Sequence, residues 1–164
     1  MAALAIAADM GLPDWCLAAG FVRNLVWDRL HGFDHATPLN DLDLVYFDPE
    51  DASEARDLGI EHALRQCLNL PWSVRNQARM HLRNGDRPYA STADAMSYWV
   101  EVETAVGARW SQTGAIALVA PFGLDALMAG TVTINPKRPK PADFRSRVAS
   151  KRWLEIWPQL VVET

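Results

Sequence analysis

The chain has 164 residues, 49% of them hydrophobic and 22% charged, with a net charge of −4, a composition that suits one well-buried globular domain and is short for two. No apolar run approaches the ~18–20 residues of a membrane helix, and Met1 to Asp9 lacks the basic n-region of a secretory signal. Cys16 and Cys67 have no metal-ligand spacing and read as two reduced thiols, so a cytoplasmic protein without a membrane partner is expected.

Residues 2–9 read as a short Ala-rich helix stopped before Gly11-Leu12-Pro13. Trp15 to Ala19 is an apolar run of strand length, and after Gly20 the apolar residues at 21, 25 and at 22, 26, 30 have helical spacing, with Gly32 as the stop. Leu42 to Phe47 is dense in β-favouring residues and reads as a buried strand. Residues 51–68 are expected to be a helix capped by Ser53, with Ala55, Leu58, Ala63 and Leu64 among its inner positions. Trp72 to Met80 is expected as a strand, and Ser91 or Thr92 caps a helix running through Ala93, Met96 and Val100. Ala115 to Val119 reads as a strand, 136–141 as a Pro-rich basic linker or arm, and about 142–157 as a final helix ending before Pro158. Strands interleaved with helices in one unit spanning 1–164 point to an α/β or α+β domain.

Charge is unevenly spread. Residues 1–136 carry 9 Arg, no Lys and 17 acids, whereas residues 137–164 carry 7 Lys or Arg against 3 acids. Such a basic C-terminal segment can attract a polyanion such as RNA. A solvated helix face balancing an acidic body accounts for it equally simply, and more commonly.

The chemistry centres on Asn40-Asp41-Leu42-Asp43-Leu44-Val45. In a strand, residues two apart share a face, so Asp41 and Asp43 project together. Two adjacent carboxylates repel, and one entering an apolar strand is costly to ionise unless paired, hydrogen-bonded or metal-bound. A divalent cation relieves both problems, and hard carboxylate oxygens suit Mg²⁺. Alone, so common a tripeptide reads more readily as a turn leading into a strand. Upstream, Ala18-Ala19-Gly20 followed by a helix places backbone N–H groups and a positive helix end beside a residue without Cβ, a ready phosphate site. Arg23 near the helix start supplies a bidentate cation for a triphosphate, or else pairs with Asp28 or another acid.

Taken together, Ala19-Gly20-Phe21-Val22-Arg23-Asn24 and Asn40-Asp41-Leu42-Asp43 resemble the nucleotidyltransferase head of the DNA polymerase β superfamily, nearest to the Gly-Gly-x-Val-Arg-Asp and Asp-x-Asp pattern of CCA-adding enzymes and bacterial poly(A) polymerases. Over residues 10–160 the chain is similar to a bacterial nucleotidyltransferase-like family long described as a domain of unknown function. The stretches Trp72 to His81, Pro88 to Arg109, Ala120 to Asp125 and Lys151 to Leu160 add to the match. The resemblance implies an α+β fold with a mixed sheet flanked by helices. It also implies a nucleoside triphosphate substrate, Mg²⁺ or Mn²⁺ as cofactor, and transfer of a nucleoside monophosphate to an unspecified acceptor. Asp41 and Asp43 would hold metal, while Gly20, Arg23 and Asn24 would handle phosphate, with Asn76 as a neutral metal or phosphate contact or a buried structural amide.

Departures from the pattern are specific. Ala19 replaces the first glycine of the pair, Phe21 stands where many members have Ser, and Asn24 replaces the motif's Asp. The third carboxylate expected on a neighbouring strand is missing from Trp72-Ser73-Val74-Arg75-Asn76-Gln77. Glu101, Glu103 and Asp125 are the substitutes available, each otherwise an ordinary helix or loop acid. The main rival to an enzyme is therefore a degenerate nucleotide- or partner-binding domain of the same fold. The seven tryptophans read first as packing residues, and Arg75, Arg79 and Arg83 as salt-bridging or phosphate-binding cations.

Overall fold

The computed structural model describes residues 1–111 and 113–164. A five-stranded mixed sheet has the order β3-β2-β1-β4-β5, formed by β1 (Cys16–Ala18), β2 (Leu42–Tyr46), β3 (Trp72–Asn76), β4 (Gly107–Trp110) and β5 (Ile116–Val119). β2 and β3 run parallel, and the other pairings are antiparallel. The helices are α1 (Ala2–Asp9), α2 (Gly20–Leu30), α3 (Glu54–Cys67), α4 (Gln77–Asn84), α5 (Thr92–Met96), α6 (Asp125–Ala129), α7 (Pro141–Ser150) and α8 (Trp153–Ile156). A separate parallel pair joins β6 (Thr131–Thr133) to β7 (Val161–Glu163). This is the α+β arrangement expected from the sequence.

Strand alternation divides the core. Leu17, Leu42, Leu44, Tyr46, Trp72 and Val74 pack with Ala3, Leu4 and Ala7 of α1 and Leu64 of α3 on one side of the sheet. Cys16, Ala18 and Val45 face the other side, against Met96 and Ala105. A third cluster joins α2 to the C-terminal segment through Trp27, Phe144, Trp153 and Trp157, with Trp27 edge-on to both Trp153 and Trp157. Burying an aromatic side chain of this size contributes on the order of 1.5–3 kcal/mol, so the segment from Phe144 to Trp157 is part of the core, reached through the irregular stretch 136–140.

Four sequence expectations need correcting. The strand from Trp72 stops at Asn76 because the Asn76 side chain accepts from Ala78 N–H and caps α4. The helix beginning at Thr92 ends at Met96, short of Val100. The final helix is two helices, broken at Arg152, which is left-handed with φ 54°. Finally, the inner face of α3 is Asp57, Ile60 and Leu64, while Leu58 is 57% exposed and Ala55 and Ala63 also face solvent. A polar residue occupies that face because Asp57 is fully partnered: it accepts from Tyr46 O–H at 2.8 Å and Asn76 N–H at 3.1 Å, and pairs with Arg79 at 2.5 Å.

Candidate functional site

The alternation that buries Leu42, Leu44 and Tyr46 against α1 and α3 turns Asp43 to the opposite side of the sheet. Asp43 lies in register with Ala18 on β1 and with Ser73 on β3. Asp41, just before the strand, is exposed and lines the same cleft. Burial, and then the charge of Asp41, hold the Asp43 carboxyl above the ordinary carboxylate range, with the Ser73 hydroxyl pulling it back. Among the described residues neither aspartate forms an ion pair.

β1 delivers the chain to the second half of the cleft. Ala18 pairs with Gly107, where an added Cβ would come within 2.5 Å of Cys16 Sγ, so the strands approach closely here. Ala19 then adopts φ 53°, ψ −120°, and its carbonyl accepts from Arg23 N–H at 2.9 Å as α2 begins at Gly20. Val22 N–H donates to the same carbonyl at 3.2 Å, so the orphan donors of this helix start among the described residues are the Gly20 and Phe21 amides. Phe21 packs with the apolar cluster under the sheet, which explains why an apolar side chain follows the glycine.

Arg23 is 7% exposed and has no carboxylate in direct contact among the described residues. It donates to Thr104 Oγ1 at 2.8 Å and Asn24 Oδ1 at 2.9 Å, while its Nε is buried without a partner. Its guanidinium lies 4.9 Å from the Trp27 ring centroid and 4.7 Å from that of Trp153. Burial brings its pKa down to about 10, with Glu101 opposing, so it remains cationic at neutral pH. Asp28, a sequence-level candidate partner for Arg23, instead accepts from Thr37 and Trp157. Asn24 acts behind the cleft by holding Arg23 in place.

The cleft, about 350 Å³, is lined by Gly20, Arg23, Asp41 and Asp43 together with residues from distant parts of the chain. Of the three substitute acids, Glu101 lines it, fully buried and bonded to Arg147 Nε at 2.5 Å. Glu103 is engaged by Thr131 and Thr133, and Asp125 is exposed in the first turn of α6 away from the cleft. Asn76 is a correction. It is fully buried and its side chain accepts from Asp48 and Ala78 N–H and donates to the Asp48 and Asp51 carbonyls, which makes it the structural amide of the two readings. On β3 Ser73 lies beside Asp43 and Arg75 beside Val45, and Arg75 reaches the cleft.

The far wall is supplied by Lys140, Arg147 and Lys151, three cations of the basic C-terminal segment whose place in this cleft the sequence did not indicate. Of the other four C-terminal cations, Arg138 pairs with Asp86, Lys137 lies near Asp94 and Arg152 pairs with Glu155, while Arg145 forms no ion pair among the described residues. The long-range partners of these charges are what the sequence could not disclose.

No group of three or more His, Cys, Asp or Glu placed to hold a metal occurs among the described residues. Asp41 and Asp43 nevertheless fit a hard divalent ion as a two-carboxylate donor set, since they are adjacent, mutually repelling and unpaired. Among the described residues no helix is long and apolar enough to cross a membrane.

A family profile described as nucleotidyltransferase matches residues 5–162. A solved structure described as a CCA-adding enzyme head domain is similar over 99% of this chain and 87% of its own, at 33% identity and a TM-score of 0.86. A tRNA-processing enzyme with CTP (16% identity, TM-score 0.56) and a tRNA nucleotidyltransferase complexed with a primer tRNA and an incoming ATP analog (18%, 0.56) match 99% of this chain. The chain covers 43% and 46% of those two structures, and they share its fold. No curated protein matches it in sequence.

Proposed function

From the premise that the chain belongs to the nucleotidyltransferase family, we propose that it is a Mg²⁺-dependent enzyme moving a nucleoside monophosphate from a nucleoside triphosphate to an acceptor hydroxyl or phosphate. The observation that carries this is the unpaired Asp41 and Asp43 in one cleft with the Gly20 turn and the buried Arg23.

Asp41 and Asp43 would hold the divalent ion, which when bound supplies charge neutralisation at phosphate and activates the attacking oxygen. Mn²⁺ suits the same oxygen donors. The first amides of α2 and Gly20, having no side chain in the way, receive phosphate oxygens. Arg23 keeps its cationic edge beside them because Thr104, Asn24, Trp27 and Trp153 fix its orientation. Positioning and charge neutralisation would account for most of the rate. A nucleic acid is the acceptor class suggested by the family and by the relative solved with a primer tRNA. A cytoplasmic setting accords with the free Cys16 and Cys67, the former buried with its pKa pushed up to about 12.

A second reading is favoured by Ser73, which sits beside Asp43 where a third acid would complete the site. In that case the chain binds nucleotide without turning it over. Calorimetric titration of ATP, GTP, CTP and UTP with Mg²⁺, on wild type and the Asp41→Asn/Asp43→Asn double variant, tests the binding. Absence of Mg²⁺-dependent binding in wild type refutes the enzyme. Binding without pyrophosphate release across a broad acceptor panel selects the second reading.

A further inference from the structure

We propose that the C-terminal segment from Lys140 to Lys151 is the second half of the polyphosphate site, with Arg147 a phosphate ligand presented by the buried Glu101. The proposal deepens the function above and rests on it for the identity of the cleft.

Lys140, Phe144, Arg147 and Lys151 fall at spacings of four, three and four, and so lie along one side of α7 and its ends. Phe144 is 1% exposed and anchors that side into the cluster around Trp27. The three cations of the stripe all line the cleft, whereas Arg145 lies outside it. They are three of the five cations there, the others being Arg23 and Arg75. Without them, Asp41, Asp43 and Glu101 outnumber the positive charges and the cleft repels a polyanion. With them its sign is reversed.

Arg147 has the geometry of a preset ligand. Glu101 is fully buried and takes its Nε at 2.5 Å and its Nη2 at 3.1 Å, a side-on bidentate grip. Nη1 has no protein hydrogen bond among the described residues. Arg147 and Arg23 both lie over Trp153, at 5.9 Å and 4.7 Å from its centroid. One indole thus spaces two guanidiniums from opposite ends of the chain. Arg23 Nε is buried and unpartnered on the same cleft. A linear polyphosphate meets both requirements, since it offers several oxygens to two fixed cations and neutralises the surplus positive charge.

The test is titration of the full chain with inorganic tripolyphosphate, without metal and at fixed ionic strength. Wild type is expected to bind, and Lys140→Met/Lys151→Met, two substitutions on accessible side chains, to weaken binding ~10-fold. Glu101→Gln/Arg147→Met, which removes the pair without leaving a buried charge, is expected to weaken it at least as much, while Arg145→Met leaves it unchanged. Circular dichroism verifies folding of each variant. No wild-type binding, or wild-type affinity retained in both double variants, overturns the proposal. If nucleotide binding with Mg²⁺ still requires Asp41 and Asp43 in that event, the proposed function stands without it. If instead the C-terminal variants lose tripolyphosphate while the aspartate variant leaves nucleotide binding untouched, the clamp stands and the metal-dependent enzyme falls.

Discussion

Trp157 donates its indole N–H to Asp28 Oδ1 at 2.8 Å, although 129 residues separate them. Asp28 also accepts from Thr37 N–H at 2.7 Å and Thr37 Oγ1 at 2.5 Å. One carboxylate therefore fastens α2, the loop leading to Asp41 and the C-terminal segment. Trp157→Phe removes the donor and shrinks the buried indole to a phenyl ring, and is expected to cost at least about 1–3 kcal/mol. Urea denaturation of the two proteins measures the difference, and equal midpoints would show that the contact contributes nothing.

Ala19 occupies φ 53°, ψ −120°, a region that favours glycine. Strain of this kind costs about 1–3 kcal/mol, whereas glycine's added unfolded-state freedom costs about 0.4–1 kcal/mol. Ala19→Gly is therefore expected to raise the melting temperature. A lower Tm would mean that the alanine methyl contributes more in packing than its backbone loses.

Asp43 yields a pH dependence of definite sign. Its pKa is raised from 3.8 by burial and then by Asp41, so the folded state binds the proton more tightly than the unfolded chain. Stability of the ligand-free protein should fall as pH rises from 3.8 through the raised value, and the penalty persists above it. Asp43→Asn is expected to be more stable than wild type at neutral pH and to lose that advantage in acid. Added Mg²⁺ should narrow the neutral-pH gap by stabilising wild type alone. A variant less stable than wild type at pH 7 would contradict the assignment.

Asp57 is buried and holds Tyr46, Asn76 and Arg79 at once. Asp57→Ala leaves a guanidinium and a strand amide without their acceptor, and about 3–5 kcal/mol of destabilisation is expected. Because Asp57 lies on the opposite side of the sheet from the cleft, nucleotide affinity of the folded fraction should be unchanged, which titration below the melting transition would show.

Local signals carried much of the fold. The alternation of Leu42, Asp43, Leu44 and Val45 sufficed to bring Asp41 and Asp43 into one cleft, and the turn at Gly20 followed from its helical sequel. What escaped depends on distant partners. Asn76 sits in a β-like run, yet it ends the strand by capping α4 and bonding the Asp48–Asp51 turn. Asp57 interrupts an apolar face on which only Tyr46, Asn76 and Arg79 make a carboxylate tolerable. Arg147 finds Glu101 across 46 residues, and neither side's local sequence announces the other. β4, whose Gly107-Ala108-Arg109-Trp110 lacks a regular pattern, is defined by its neighbours β1 and β5.

The parallel register of β2 and β3 sets Ser73 beside Asp43. Under the reading in which the chain binds nucleotide without turning it over, catalytic competence in this scaffold would hinge on a single side chain and not on architecture. Ser73→Asp would introduce a third acid on an existing strand with no rearrangement of the backbone, so an inert binder and a transferase can be neighbours in sequence space while sharing every fold-determining residue.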